Sequence, residues 1–207
     1  MIELHTSATA NGFKASIMLE ECGLEYSVRR YELVSRQHLA PEYLALNPVG
    51  RIPTIVDHAA AGGRRAVVYG TQAVLQYLAE KTGRFLPADP VARAAVYTWM
   101  GVIASDVGPA YSGQFTFNVL AKERLPWAIE YYDRLVDRML VALETQLSRN
   151  EYLAGEEYTI ADIIAYPVAA ISARRYPGDL GAYPSLGRWT EKVGLRPAVQ
   201  RGMKVPG

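Results

Sequence analysis

Asn47-Pro48-Val49-Gly50-Arg51-Ile52-Pro53-Thr54-Ile55-Val56 is the stretch whose reading decides the fold of the first part of this chain. Pro53 stands directly before an apolar, β-branched run, Thr54-Ile55-Val56. A proline lacks the amide donor that a ladder needs, so it breaks a strand from within but is tolerated at its first position. Pro53 therefore marks a strand's beginning. A cis Ile52–Pro53 bond turns the chain sharply and leaves the N–H and C=O of Ile52 pointing outward, free to pair with a short extended ligand as one more strand. The alternative is an ordinary trans proline in a connecting loop.

Working outward towards the N-terminus, Ile2 to Leu4 reads as a short strand, followed by a polar loop and a helix whose apolar positions include Phe13, Ile17, Met18 and Cys22. Gly23 suits the left-handed residue that ends such a helix. Thr9 and Asn11 stand at the helix start, where their side chains can cap free N–H groups. Tyr26 to Tyr31 reads as a second strand, and Gln37 and His38 lie in the loop that follows. Pro41 then opens a short helix at a position suited to N1.

Beyond Pro53 the strand runs to about Asp57, a small-residue turn reverses the chain, and Ala66 to Tyr69 returns beside it as a hairpin. A helix from Thr71, with Val74, Leu75 and Leu78 at helical spacing, ends near Gly83. The order β-α-β-α-β-β-α makes the first strands parallel and closes the sheet with a hairpin. The segment 84–90 carries Pro87 and Pro90 and reads as a linker. From residue 91 to 207 strand signals nearly vanish, and long helical patterns follow at Ala92 to Val107, Leu125 to Leu147 and Thr159 to Ala173. Breaks are expected at Gly108-Pro109, Asn150 and Tyr176-Pro177-Gly178. Thr159-Ile160-Ala161-Asp162 is a capping box in acidic form, flanked by Tyr158 and Ile163 as a possible staple, and its role is structural.

Of the 207 residues, 50% are hydrophobic, enough for one large domain or two small ones with real cores. The 22 basic and 21 acidic residues leave a net charge of +1, which disfavours an electrostatic grip on nucleic acid or anionic membrane. No secretory leader or long apolar run is present, so the expected location is the cytoplasm. A single cysteine, Cys22, excludes an internal disulfide, a CxxC pair and a thiolate zinc site. His5, His38 and His58 are too scattered for a metal cluster, and no metal is expected.

A small α/β domain with a proline before its third strand, followed by a helical domain with a Thr-Ile-Ala-Asp capping box, resembles the glutathione S-transferase superfamily over essentially the whole chain. Bacterial Nu-class and fungal Ure2p-like members are closest in appearance. Thr9-Ala10-Asn11-Gly12-Phe13-Lys14 resembles their entry to the first helix, and residues 41–58 resemble the segment that carries their proline before the third strand. The resemblance implies a thioredoxin-like domain over residues 1–83, a helical bundle over 91–207, and a homodimer. It also implies an enzyme in which glutathione supplies the nucleophilic sulfur, for disulfide reduction or for conjugation to an electrophile. Thr9 and Asn11 would then be catalytic. A hydroxyl and an amide N–H at the positive end of a helix stabilise a thiolate. Glutathione would be held by His38, or Gln37 beside it, by Ile52 through its backbone with Pro53 fixing the geometry, and by Thr71 and Gln72. Ser105, Tyr111 and Phe115, with Phe117, Asn118 and Trp127 nearby, are candidates for a second-substrate pocket, although aromatics at such positions are more often plain helix packing.

The chain departs from the family's pattern at three places. Gly70 stands where relatives carry a glutamate for the γ-glutamyl ammonium, and losing that charge-assisted bond would cost roughly 1.5–3 kcal/mol, or about ten- to a hundredfold in affinity, unless Gln72 or a partner subunit compensates. Tyr131 replaces an expected arginine, and Ala10 an expected proline. Gly70 keeps two other functions open: a binding module that retains the fold without the chemistry, and a lyase or isomerase on the same scaffold.

Overall fold

Strands β1 (Ile2–Thr6), β2 (Tyr26–Arg30), β3 (Thr54–Asp57) and β4 (Ala66–Tyr69) form one sheet in the order β2-β1-β3-β4. The computed structural model describes residues 1–175 and 180–207. β1 runs parallel to β2, with Ile2 opposite Tyr26 and Thr6 opposite Arg30, because a helical crossover joins them. β3 is antiparallel to β1, with Leu4 opposite Ile55, and β4 completes the hairpin with Thr54 opposite Tyr69. All four residues of β3 are buried, as a central strand covered on both faces requires, whereas the edge strand β2 exposes Arg29 and Arg30.

Helix α1 (Ala10–Cys22) is capped at one end by Thr9 and at the other by Gly23, whose φ of 65° lies in the left-handed region. The N–H of Leu24 closes that end by donating to Leu19 O, so the terminal carbonyls are satisfied. Between the caps Ala15, Ile17, Met18 and Leu19 are fully buried, and α3 (Thr71–Thr82) packs beside them through Val74, Leu75 and Leu78. The short α2 (Pro41–Leu44) begins at its proline.

By internal contacts the chain divides into two units, Met1–Leu86 with Gly194–Gly207, and Pro87–Val193. The helical segment read from the sequence as 91–207 thus gives its last residues to the first unit. The reason is local. Helix α9 (Pro197–Gly202) lies so close to α1 that a Cβ on Gly202 would sit 2.5 Å from Ile17 Cα. Ser16 Oγ donates to Gly202 O over 2.7 Å, and Arg196 grips Glu21 with two bonds of 2.6 and 2.9 Å.

The second unit contains α4 (Pro90–Val102), α5 (Gly108–Phe115), α6 (Pro126–Leu147), α7 (Ile160–Arg175) and α8 (Pro184–Gly194, whose last residue falls in the first unit). The break expected at Gly108-Pro109 does not occur. A π-helical turn over Ile103–Val107 carries α4 directly into α5, and the wider turn accommodates Pro109, which has no N–H to contribute. A second π turn, Thr116–Leu120, extends α5. The break expected at Tyr176-Pro177-Gly178 lies outside the described residues. At the head of α7 the capping box forms: Ala161 N donates to Thr159 Oγ1 at 3.2 Å and Thr159 N to Asp162 Oδ2 at 2.9 Å. No helix among the described residues is long and apolar enough to cross a membrane.

Candidate functional site

Thr9 caps α1 by accepting the Gly12 N–H on its Oγ1 at 3.1 Å. That bond occupies the hydroxyl as an acceptor and leaves its proton to be donated elsewhere. Asn11 is the second residue of α1, exposed and too far into the helix to cap it. Its Oδ1 accepts from Lys14 Nζ at 2.8 Å, so the two Nδ2 protons remain for another partner. Gly12, directly after Asn11, cannot carry a side chain, since a Cβ would stand 2.1 Å from Ser7 O. Both side chains at the N-terminus of this 13-residue helix therefore have their acceptors engaged and their donors available. Such an end favours an anion.

The stretch around Pro53 is braced from beneath. Asn47, 1% exposed, donates through Nδ2 to Arg51 O at 2.6 Å and to Thr54 Oγ1 at 3.2 Å, and its Oδ1 accepts from Val49 N at 3.0 Å. Tyr43 Oη donates to the same Arg51 carbonyl at 2.7 Å and lies 2.9 Å from Thr54 Oγ1. The Ile52–Pro53 bond is cis, and among the described residues neither the N–H nor the C=O of Ile52 has a hydrogen-bond partner. Ile52 thus presents an unpaired edge next to β3.

Thr71 and Gln72 open α3, both half-buried, and no side chain caps their first-turn N–H groups. Gly70 precedes them at φ 83°, a backbone region that residues with a Cβ rarely adopt. In the loop after β2, Gln37 Oε1 accepts the Glu32 N–H at 2.9 Å and braces the turn, while His38 Nδ1 is buried without a partner. Gln37 keeps its Nε2 donors and His38 its ring nitrogen, so both remain candidates. Cys22, half-buried on α1, has its Sγ 3.4 Å from Thr82 Oγ1, and burial pushes its thiol up, which makes it a poor nucleophile.

Thr9, Asn11, His38, Ile52, Pro53, Thr71 and Gln72 all belong to the first unit. Ser105, Tyr111 and Phe115 belong to the second, Ser105 in the first π turn with its Oγ 2.6 Å from Asp106 Oδ2, and Tyr111 and Phe115 one turn apart on α5. Trp127 stacks on Tyr131 at 5.4 Å between ring centres, and Phe117 on Tyr132 at 5.3 Å. Two residues of the first unit escape notice in the sequence. Asn47 is signalled only by its place before Pro48 and Gly50, and Lys14 looks like an ordinary surface lysine until its burial is seen.

Residues 10–81 match the glutathione S-transferase N-terminal domain family and residues 115–197 the C-terminal domain family. The chain is 37% identical over 205 residues to the disulfide-bond oxidoreductase YfcG of Escherichia coli, covering 98% of this chain and 94% of that one. It belongs to the glutathione S-transferase family. A solved glutathione transferase from Pseudomonas putida, with one glutathione disulfide bound per subunit, superposes with a TM-score of 0.95 at 32% identity, covering 100% of this chain and 92% of that one. A family member from Pseudomonas fluorescens, with two glutathione bound, gives 0.94 at 33% identity, covering 99% and 93%. This glutathione S-transferase therefore shares both its fold and most of its length with proteins that hold glutathione or its disulfide.

Proposed function

We propose that this chain is a glutathione-dependent enzyme that reduces disulfides, with conjugation to electrophiles as the second activity of the same thiolate. The observation that carries the reading is the N-terminus of α1, where Thr9 and Asn11 keep donors available while their acceptors are engaged. In this reading the glutathione sulfur accepts hydrogen bonds from the Thr9 hydroxyl and an Asn11 Nδ2–H, which together with the helix end favour the thiolate. The cysteinyl backbone pairs with Ile52 N–H and C=O as an added strand. The γ-glutamyl carboxylate sits on the Thr71 hydroxyl and N–H with Gln72 beside it, and the glycyl end lies towards His38. Ser105, Tyr111 and Phe115 are assigned to the second substrate.

The thiolate attacks one sulfur of the substrate disulfide, the S–S bond breaks, and the departing sulfur takes up a proton. A second glutathione thiolate then attacks the mixed disulfide, releasing the other substrate thiol and glutathione disulfide. Two electrons pass from two glutathione molecules to one disulfide. Cys22 takes no part. Homodimerisation and a cytoplasmic location belong to the same proposal.

Calorimetric titration with reduced and then oxidised glutathione, followed by a disulfide-reductase assay, tests this reading. Binding of both forms with turnover supports it. Binding without turnover would leave a non-catalytic module, and no binding at millimolar concentration would show that Gly70 has lost the usual ligand. Asn11→Ala is expected to lower turnover about tenfold or more, and to lower it more than stability, which also falls because the buried Lys14 ammonium loses its hydrogen-bond partner. Unchanged turnover in that variant would remove Asn11 from the mechanism.

A further inference from the structure

Lys14 is 2% exposed, and no other lysine or arginine among the described residues is buried. Its ammonium has one hydrogen-bond partner, the neutral carboxamide oxygen of Asn11 at 2.8 Å, and no ion pair among the described residues involves it. A buried charge without a carboxylate is a standing penalty, and an aliphatic side chain of similar length would fill the same space without it. Packing therefore gives no reason for a lysine here.

Chemistry at Asn11 does give one. An ammonium offers three donors and no acceptor, so the carboxamide atom facing it must be oxygen. That removes the freedom of an asparagine to flip, and it holds the NH₂ on the opposite, exposed side of the residue. An asparagine free to rotate would turn its oxygen towards a thiolate part of the time and repel it. A positive charge at 2.8 Å also polarises the amide, making its N–H a stronger donor to an anion.

We propose that Lys14 is a positioning residue for the thiolate: through Asn11 Oδ1 it locks the carboxamide with Nδ2–H presented at the N-terminus of α1, and its charge strengthens that donor. This rests on the proposed placement of the glutathione sulfur beside Asn11. Lys14 touches neither substrate, and its effect passes through one amide.

The test is a spectroscopic titration of the thiolate of bound glutathione in the wild type, Lys14→Met, Asn11→Ala and the double variant, with turnover measured on the same proteins. Lys14→Gln serves as a second neutral replacement. Lys14→Met is expected to raise the bound thiol's apparent pKa by about one unit and to lower turnover at neutral pH about tenfold, with less than about a twofold change in KM for glutathione and a higher thermal midpoint. The double variant should be no worse than Asn11→Ala alone. A normal thiol titration in Lys14→Met and Lys14→Gln, alongside a shifted one in Asn11→Ala, overturns the role of Lys14 and leaves Asn11 standing. So do fully additive effects in the double variant. A shift in neither single variant overturns the assignment of Asn11 itself, and Lys14 falls with it.

Discussion

Trp189 donates its indole Nε1–H to Asp162 Oδ1 across 2.9 Å, tying α8 to the first turn of α7 through a carboxylate with 0% exposure. The same carboxylate accepts Leu153 N at 3.0 Å and Thr159 N at 2.9 Å, so one side chain closes a helix start, a preceding turn and a neighbouring helix. Asp162→Ala would strand three buried donors at once. Each unsatisfied donor costs about 1–3 kcal/mol, and with partial relaxation we expect a loss of roughly 3–4 kcal/mol in chemical denaturation. Glutathione affinity of the folded fraction should be unchanged, because Asp162 lies in the second unit and glutathione is assigned to residues of the first.

Lys14 gives the fold a distinct pH signature. Burial pushes its ammonium down to about 8 from an ordinary value near 10.5. Between those values the unfolded chain holds a proton that the folded chain has lost, so stability rises with pH across that window. Below pH 8 both states are protonated and the full penalty of burying the charge applies, on the order of 3 kcal/mol. Denaturation at several pH values should show the wild type gaining stability from pH 8 to 10, while Lys14→Met lacks that rise and is more stable at pH 7 by about 2 kcal/mol.

The sequence reading reaches the sheet, the strand start at Pro53 and the capping box because each rests on residues whose local chemistry leaves few options, whereas it leaves the Ile52–Pro53 isomer open and the structure shows it cis. Pro53 before a β-branched run and Thr159 three residues before Asp162 are of that kind. Two features depended on contacts distant in sequence. Gly202 belongs with α1 because no Cβ fits against Ile17, and nothing within α9 announces that neighbour. Gly108-Pro109 looks like a stop, yet the π turn before it lets the helix pass, since turn width is set by packing. At the candidate site, the placement of Thr9 and Asn11 at the start of α1 is legible in the sequence, whereas the burial of Lys14 is not, because its partner is a neutral amide on the same helix.

Tyr43 and Asn47 place two hydrogen bonds on the single carbonyl of Arg51, immediately before Ile52. Tyr43→Phe removes one of them and also the contact with Thr54 Oγ1. A stability loss of about 1–2 kcal/mol is expected. Because Ile52 is the proposed backbone partner of glutathione, its Kd should rise roughly fivefold, a change of about 1 kcal/mol read by calorimetry. An unchanged Kd would detach the Asn47–Tyr43 brace from the binding edge.

At Gly70 the backbone lies at φ 83°, but a Cβ built there meets nothing within 4 Å. The penalty for any other residue is therefore one of dihedral strain alone, about 1–2 kcal/mol. Gly70→Ala and Gly70→Glu should lose similar stability, so the difference between their glutathione affinities isolates the carboxylate. Gly70→Glu is expected to bind glutathione about tenfold more tightly than Gly70→Ala if the γ-glutamyl ammonium lacks an acid. Equal affinities would mean that another group already supplies that contact.

The last turn of α9 offers the sharpest test of how the C-terminal residues join the first unit. Gly202 is buried, and a Cβ there would stand 2.5 Å from Ile17 Cα and 2.6 Å from Ile17 N, both backbone atoms that cannot swing aside. Gly202→Ala must push α9 away from α1, lengthening the 2.7 Å bond from Ser16 Oγ to Gly202 O and loading the Arg196–Glu21 pair. Overpacking of this kind costs about 1–3 kcal/mol or more, and backbone contact places it at the upper end. Limited proteolysis should cut Gly202→Ala within residues 194–207 much faster than the wild type. Glu21→Gln, which keeps the shape of the side chain but removes its charge, should loosen the same segment less. Equal protection in all three proteins would mean that the segment is held by contacts other than these.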